Sequence, residues 1–171
     1  GLPPYKGLHF FDEADAGLFF GREALTERLV ARFMEQIAAD TRCLSIVGAS
    51  GSGKSSVVRA GLIPALRWRQ PSSGWAIFVI TPTAHPLETL APALGGELQL
   101  PLAARRLVDD LLQRPERLNL ALQEAAATAG AGHVLLVVDQ FEELFTLCRS
   151  EVERQAFVDS LTTAVTAPDD T

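Results

Sequence analysis

The most informative run of this sequence is Gly48-Ala49-Ser50-Gly51-Ser52-Gly53-Lys54-Ser55. It fits the pattern G-x-x-x-x-G-K-[ST] at every fixed position. An apolar run at residues 43–47 precedes it, and a helical pattern of Val57, Val58, Leu62 and Leu66 follows it. A strand, a glycine-rich turn and a helix in this order predict a loop whose backbone N–H groups close around a phosphate.

The residues of this loop have predicted roles in holding a nucleotide. Gly51 and Gly53 permit backbone angles that other residues rarely adopt, and a helix beginning near Lys54 directs its positive end at the phosphates. Lys54 would reach the β and γ phosphates, which makes it a catalytic candidate as well, and the Ser55 hydroxyl would ligate Mg²⁺. Further nucleotide contacts are expected from Gly48, Ala49, Ser50, Ser52 and Ser56.

A second signal lies 85 residues after Lys54, where the apolar run 134–138 ends in Asp139-Gln-Phe-Glu142-Glu143. Ligands of open parallel sheets bind at the carboxyl ends of the strands. Asp139 is therefore predicted to hold Mg²⁺, directly or through a water molecule. Glu143, or alternatively Glu142, would orient and polarise the attacking water. A negatively charged first turn that only stabilises its helix is the other interpretation of the two glutamates.

A third signal is the run Phe19-Phe-Gly21-Arg22-Glu23, which leads into a helical pattern with an apolar residue every four positions, from Leu25 to Ile37. On the residues alone this run is a glycine turn followed by a charged helix start. Residues 1–21, rich in Pro, Gly and aromatic residues, are predicted to form an N-terminal arm, and residues 22–171 to form the domain proper.

The spacing of apolar runs predicts an α/β fold. Short apolar strands at 43–47, 75–80 and 134–138 alternate with helical patterns at 86–94, 101–113, 115–129, 141–148 and 152–165. Such alternation implies a mostly parallel sheet whose strands are buried under helices on both faces. Pro64 should kink or divide the helix that follows the glycine-rich loop.

Composition narrows the function classes. The chain has 171 residues and a formal net charge of −6, with 47% hydrophobic residues. The acid excess argues against a general nucleic-acid or membrane-surface binder, and no apolar run approaches the roughly 20 residues that cross a bilayer. Cys43 and Cys148 are expected to be free, buried thiols of a cytoplasmic protein. The scattered histidines predict no metal site built from side chains alone.

The chain resembles the bacterial novel STAND NTPases of the nSTAND1 type, which are signal-transduction P-loop ATPases related to AAA+ and NACHT proteins. The resemblance runs from about Pro4 to the end of the sequence. It rests on Pro4-Tyr-Lys-Gly-Leu8, Phe20-Gly-Arg-Glu23, the glycine-rich loop with Ser56, Arg59-Ala-Gly-Leu-Ile-Pro-Ala-Leu66, and Leu135-Leu-Val-Val-Asp-Gln-Phe-Glu-Glu-Leu-Phe-Thr-Leu-Cys148.

This resemblance implies a three-layer P-loop NTPase fold in which the loop is the Walker A motif and Asp139 belongs to the Walker B motif. It implies that Gly21 and Arg22 contact the base or ribose, and that ATP or ADP with Mg²⁺ is the ligand. The expected domain is C-terminally incomplete, with its later strands missing. The expected partners are an N-terminal effector domain, a C-terminal repeat domain and further copies in a nucleotide-dependent homo-oligomer, with no direct nucleic-acid or membrane contact.

The function that follows is an ATP-binding, slowly hydrolysing switch, in which only the γ phosphate and its Mg²⁺ contacts distinguish two states. Two alternatives stay open at this point. A P-loop small-molecule kinase would transfer the γ phosphate to an acceptor other than water. A nucleotide-binding scaffold would retain the nucleotide without hydrolysis, and its residual ATPase rate would not respond to Glu143→Gln.

Overall fold

The structure is a computed structural model, and it describes residues 11–13, 17, 21–69, 74–94 and 101–166. The described residues fall into two compact units, a first unit within Gly1–Ser72 and a second unit within Ser73–Thr171. Most of the predicted N-terminal arm lies outside the described residues, including Phe19 and Phe20. The division into an arm and a partial NTPase domain therefore stays a prediction.

The first unit opens with helix α1, which spans Glu23–Ala38 and confirms the helix predicted from the four-residue recurrence of apolar side chains. Val30 and Phe33 are its buried residues. They lie three positions apart and therefore on one face of the helix. Asp40, with a left-handed φ of 52°, turns the chain just after the helix end, a conformation that aspartate tolerates better than most residues.

The helix predicted after the glycine-rich loop consists of three consecutive parts, which we call the 54–69 segment: α2 (Lys54–Ser56), a π-helical stretch (Val57–Leu62) and α3 (Ile63–Arg69). Pro64 has no N–H to donate to the carbonyl four residues earlier, and its ring would clash with that carbonyl in an α-helix. The Ile63 N–H instead donates to the carbonyl oxygen of Val58, five residues back. The predicted division of this helix near Pro64 is confirmed.

The predicted buried strand at residues 43–47 is wrong. In the structure residues 41–49 have no regular secondary structure, Val47 is 91% exposed and Ile46 is 39% exposed. An apolar run becomes a strand only where a neighbouring backbone pairs with its N–H and C=O groups, and no strand is described within the first unit. Cys43 is consequently exposed, contrary to the expectation of a buried thiol, whereas Cys148 is buried as expected.

The second unit contains strands β1 (Trp75–Ile80) and β2 (His133–Val138), which pair in parallel from Trp75 opposite His133 to Ile80 opposite Val138. Their positions confirm two of the predicted strands and the parallel pairing. The helices of this unit are α4 (Pro86–Leu94), α5 (Pro101–Gln113), α6 (Arg117–Thr128), α7 (Glu143–Thr146) and α8 (Glu151–Thr166).

One face of this two-stranded sheet packs on the hydrophobic core of the second unit. Ile80 belongs to that core, and Phe78, Val134, Leu136 and Val138 pack against it. The helices contribute its fully buried side chains: Leu87, Leu90, Leu111, Leu118, Leu144 and Phe157. Side chains alternate between the two faces of a strand, so a second set points the other way: Ile77, Val79, Leu135 and Val137.

That second set is only partly buried, and no residue of β2 is fully buried. The expectation of strands buried on both faces is therefore wrong for the described residues. The fold class is α/β with a two-stranded parallel sheet, and the three-layer architecture stays a prediction. Among the described residues, no helix is both long enough and apolar enough to cross a membrane.

Candidate functional site

The glycine-rich loop, residues 48–55, takes the backbone conformations that its sequence predicts. Gly51 has a φ of 73° and Gly53 a φ of 87°, both in the left-handed region that glycine occupies without steric cost. Between them the Ser52 N–H donates to the carbonyl oxygen of Ala49 at 3.2 Å. Gly53 then stands at the N-cap position of α2, so the loop runs directly into the 54–69 segment.

Lys54 folds back over this loop. Its ammonium donates to the carbonyl oxygens of Gly48 at 2.8 Å and of Ala49 at 3.0 Å. Gly48 is closely packed, because an added Cβ would lie 3.2 Å from Ser52 Oγ and 3.6 Å from Lys54 Cδ. The loop thus holds a positive charge against its own backbone carbonyl groups. Left-handed glycines and a lysine ammonium over the loop are features that suit the binding of a phosphate group.

Ser56 has a partner of its own in the structure. Its side chain is buried, and its hydroxyl oxygen accepts the Phe11 N–H at 3.1 Å. Two ion pairs continue this contact between residues 11–13 and the 54–69 segment, Arg59 with Asp12 at 4.0 Å and Arg67 with Glu13 at 2.9 Å. The sequence carries no signal for these contacts, because nothing in the periodicity of a helix indicates which distant backbone group will contact it.

The candidate base-contacting residues lie at the start of α1. Gly21 has a φ of 78°, and its N–H donates to Glu23 Oε1 at 3.0 Å. Hydrogen bonds from the backbone N–H of Glu23 itself and from that of Gly21 lower the pKa of the Glu23 carboxyl, since both favour its ionised form. Arg22 is the exposed N-cap residue of α1, and its carbonyl oxygen accepts the Thr26 N–H at 2.9 Å.

Asp139 follows the last residue of β2 in the second unit. Its backbone N–H donates to the carbonyl oxygen of Ile80 at 2.8 Å, and its Oδ1 accepts the Gln140 N–H at 3.0 Å. Gln140 adopts a left-handed φ of 53° and turns the chain away from the sheet. The carboxylate predicted at the carboxyl end of an apolar strand is therefore placed there.

The two candidate glutamates differ in exposure. Glu142 is the exposed N-cap residue of α7, whereas Glu143 is its partly buried first residue. The Glu143 N–H donates to the carbonyl oxygen of Gln140 at 2.8 Å and closes the turn that begins after Asp139. Asp139, Glu142 and Glu143 thus lie on one tight turn of the second unit. The glycine-rich loop, Gly21 and Arg22 lie in the first unit.

A family model described as novel STAND NTPase 1 matches residues 4–170 of this sequence. The chain belongs to the novel STAND NTPase 1 family. Comparisons with curated proteins and with solved structures find no match. Membership supports an NTPase of the STAND type and a nucleotide as ligand. The matched range includes both candidate motifs, the glycine-rich loop and the turn that follows Asp139.

Mg²⁺ prefers hard oxygen ligands, and it usually keeps several waters while one or two carboxylates and substrate phosphates complete its octahedron. The Ser55 hydroxyl of the first unit and the Asp139 carboxylate of the second unit are each oxygen donors of that chemical kind. Among the residues that the structure describes, no group of three or more His, Cys, Asp or Glu side chains is placed to hold a metal ion.

One polar contact of the second unit was not found from the sequence. Glu153 of α8 accepts the Leu87 N–H at 3.3 Å, and its Oε2 lies 3.3 Å from His85 Nδ1. His85 belongs to the loop that follows β1, so this carboxylate joins α8 to the start of α4. The signal was missed because Glu153 reads as an ordinary first-turn acid of a helix, 68 residues away from its partner.

Proposed function

We propose that this chain binds ATP or ADP with Mg²⁺ and hydrolyses ATP slowly, as the nucleotide switch of a cytoplasmic STAND-type signalling protein. The observation that carries the proposal is the glycine-rich loop, with left-handed Gly51 and Gly53 and the Lys54 ammonium held over the loop. Family membership of residues 4–170 supports the same ligand class. The proposal assigns the phosphates to the backbone N–H groups of the loop and to Lys54, with Gly21 and Arg22 toward the base or ribose.

In this proposal Ser55 and Asp139 hold the metal, which supplies charge neutralisation for the phosphates when bound. Glu143 holds and orients the attacking water and accepts its proton, because it is partly buried whereas Glu142 is exposed. Lys54 gives up its bonds to the Gly48 and Ala49 carbonyls in favour of phosphate oxygens, which are stronger acceptors because they are charged. Hydrolysis stays slow unless a further positive charge reaches the γ phosphate, as an arginine finger does in related chemistry.

Isothermal titration of the chain with MgADP and with MgATP tests the binding step. Lys54→Glu should weaken both nucleotides by about 100-fold, because it removes charged hydrogen bonds and places a carboxylate against the phosphates. Arg69→Glu, the same charge reversal at the exposed far end of the 54–69 segment, is the matched control and should leave both affinities close to those of the parent chain. If the Lys54→Glu variant bound MgADP as tightly as the parent chain does, that result would contradict the proposal.

The switch itself predicts an assembly state that depends on the nucleotide. The parent chain should sediment as a smaller species with MgADP than with a non-hydrolysable MgATP analogue, because only the γ phosphate separates the two states. Lys54→Glu should sediment alike with either ligand. Identical sedimentation of the parent chain with both nucleotides would confine the function to binding and hydrolysis.

A further inference from the structure

Thr26 of α1 and Gly61 of the 54–69 segment meet more closely than any other side chain at position 61 would allow. A Cβ added to Gly61 would lie 2.7 Å from Thr26 Oγ1 and 3.0 Å from Thr26 Cγ2. Real Cβ atoms essentially never show separations below 3.0 Å, so the Thr26 side chain or α1 itself would have to shift. Gly61 is buried and has no left-handed φ, so close approach, not backbone freedom, explains glycine here.

The π-helical stretch sets which residue of the 54–69 segment faces Thr26. A π turn takes one more residue than an α turn, and each added residue rotates all that follows by about 100° relative to a regular α-helix. The stretch ends at Leu62, immediately before the α3 turn that contains Pro64. Because Pro64 prevents a continuous α ladder, the register that presents Gly61 to α1 is built into the sequence.

The contact joins the two ends of the proposed nucleotide site. Thr26 lies one turn into α1, and its N–H bonds to the carbonyl oxygen of Arg22, so the position of Thr26 fixes that of the Gly21–Arg22 turn. Gly61 lies in the π-helical stretch that continues directly from α2, and α2 begins at Lys54. A rigid contact between the two helices therefore fixes the separation of the base-contacting turn from the glycine-rich loop.

We propose that Thr26 and Gly61 are positioning residues that maintain this separation for the binding of a nucleoside diphosphate, an inference that rests on the proposed nucleotide function. Neither residue touches the ligand. Their effect is confined to ligands that contact both ends of the site, because a ligand held by the loop alone does not sense where α1 begins. The affinity for ADP depends on the contact, and the affinity for pyrophosphate does not.

The test compares MgADP with magnesium pyrophosphate by titration calorimetry. Gly61→Ala should weaken MgADP affinity about tenfold, because relief of the overpacking shifts α1 relative to the loop, and leave pyrophosphate affinity unchanged. Thr26→Ala adds no clash but opens a gap between the helices, and should weaken MgADP about threefold. In the double variant the methyl group added at position 61 occupies space that Thr26→Ala leaves empty. Its MgADP affinity should therefore return to within about twofold of that of the parent chain.

Gly17→Ala is the matched control, because an added Cβ there meets nothing within 4 Å, and both affinities should stay at parent values. Equal loss of ADP and pyrophosphate affinity in Gly61→Ala would overturn the inference, since the contact would then support the loop or the fold in general. The inference would also be overturned if the double variant bound MgADP no more tightly than Gly61→Ala, or if both single variants kept the MgADP affinity of the parent chain. If Gly61→Ala does not fold, Thr26→Ala and the double variant decide. A parent chain that binds neither ligand would instead refute the proposed nucleotide function.

Discussion

The backbone N–H of Asp139 donates to the carbonyl oxygen of Ile80 at 2.8 Å. The hydrogen-bond ladder between the two parallel strands thus continues one residue beyond the end of β2, and it holds Asp139 beside the carboxyl end of β1. The Asp139 side chain also accepts the Gln140 N–H. The Asp139 carboxylate therefore has two roles, the observed hydrogen bond with Gln140 and the proposed contact with Mg²⁺. The substitution Asp139→Asn separates the two roles.

Asp139→Asn should preserve the fold and reduce the contribution of Mg²⁺ to ADP affinity by about tenfold or more. Asparagine retains an Oδ1 that accepts the Gln140 N–H, but it lacks the charge that makes a carboxylate a good Mg²⁺ ligand. The measurement is ADP affinity with and without Mg²⁺, together with the melting temperature. Asp159→Asn on α8 makes the same chemical change away from the site and keeps an Oδ1 that accepts the Gln155 side-chain N–H, so it should leave the Mg²⁺ effect intact. An undiminished Mg²⁺ effect in Asp139→Asn would exclude Asp139 as a metal ligand.

Glu143→Gln should slow ATP hydrolysis by about 100-fold, the lower range for loss of a general base, while leaving MgATP affinity close to that of the parent chain. Glu142→Gln is the natural comparison, because it makes the same change at the neighbouring, exposed position. Single-turnover release of phosphate separates hydrolysis from product dissociation. If the two variants hydrolyse ATP at the same rate as the parent, neither glutamate acts on the water, and both serve only the first turn of α7.

Glu23 should make the start of α1 sensitive to acid. Hydrogen bonds from its own N–H and from that of Gly21 hold the folded-state pKa of Glu23 below its unfolded value. A depressed pKa contributes stability that is present above the unfolded pKa and is lost as the pH falls through the folded one. Carboxyl carbon chemical shifts should therefore titrate below the usual glutamate range, with the Gly21 amide resonance moving in step. Glu23→Gln should remove that movement of Gly21, and a Gly21 titration unchanged in this variant would contradict the assignment.

How far the sequence predicts this structure depends on whether an element is specified locally. The bounds of β1, α4 and α5 agree with the prediction at both ends, because prolines at the first helical position and the turn residues around each run mark them within a few residues. Residues 43–47 also carry a largely apolar run, but strand formation there requires a partner strand that no local signal provides. The prediction that this run is buried rested on its apolar character alone, and the exposure of Val47 shows that apolar character does not ensure burial.

In the candidate site, too, features specified by local sequence are predicted, whereas contacts between distant segments are not. The left-handed conformations of Gly51 and Gly53 follow from a pattern of eight residues, and so does the placement of Asp139 at a strand end. Other contacts join segments that are distant in sequence: the hydrogen bond from Phe11 to Ser56, the ion pairs of residues 12 and 13, and the contact between Thr26 and Gly61. Such contacts depend on how helices pack, which side-chain periodicity restricts to a face but not to a neighbour.

Gly53→Ala should destabilise the chain by about 1–2 kcal/mol, the cost of holding an L-residue in the left-handed region, because Gly53 has a φ of 87°. It should also weaken MgADP, since relief of this strain would turn the loop N–H groups away from the phosphates. Gly48→Ala provides the comparison: φ at Gly48 is not in the left-handed region, and the added Cβ meets chiefly the Ser52 hydroxyl at 3.2 Å, which can rotate away. Urea unfolding and ADP titration of both variants should place Gly53→Ala below Gly48→Ala in stability and in affinity. The reverse order would mean that close packing at position 48, and not the left-handed turn at position 53, maintains the shape of the phosphate-binding loop.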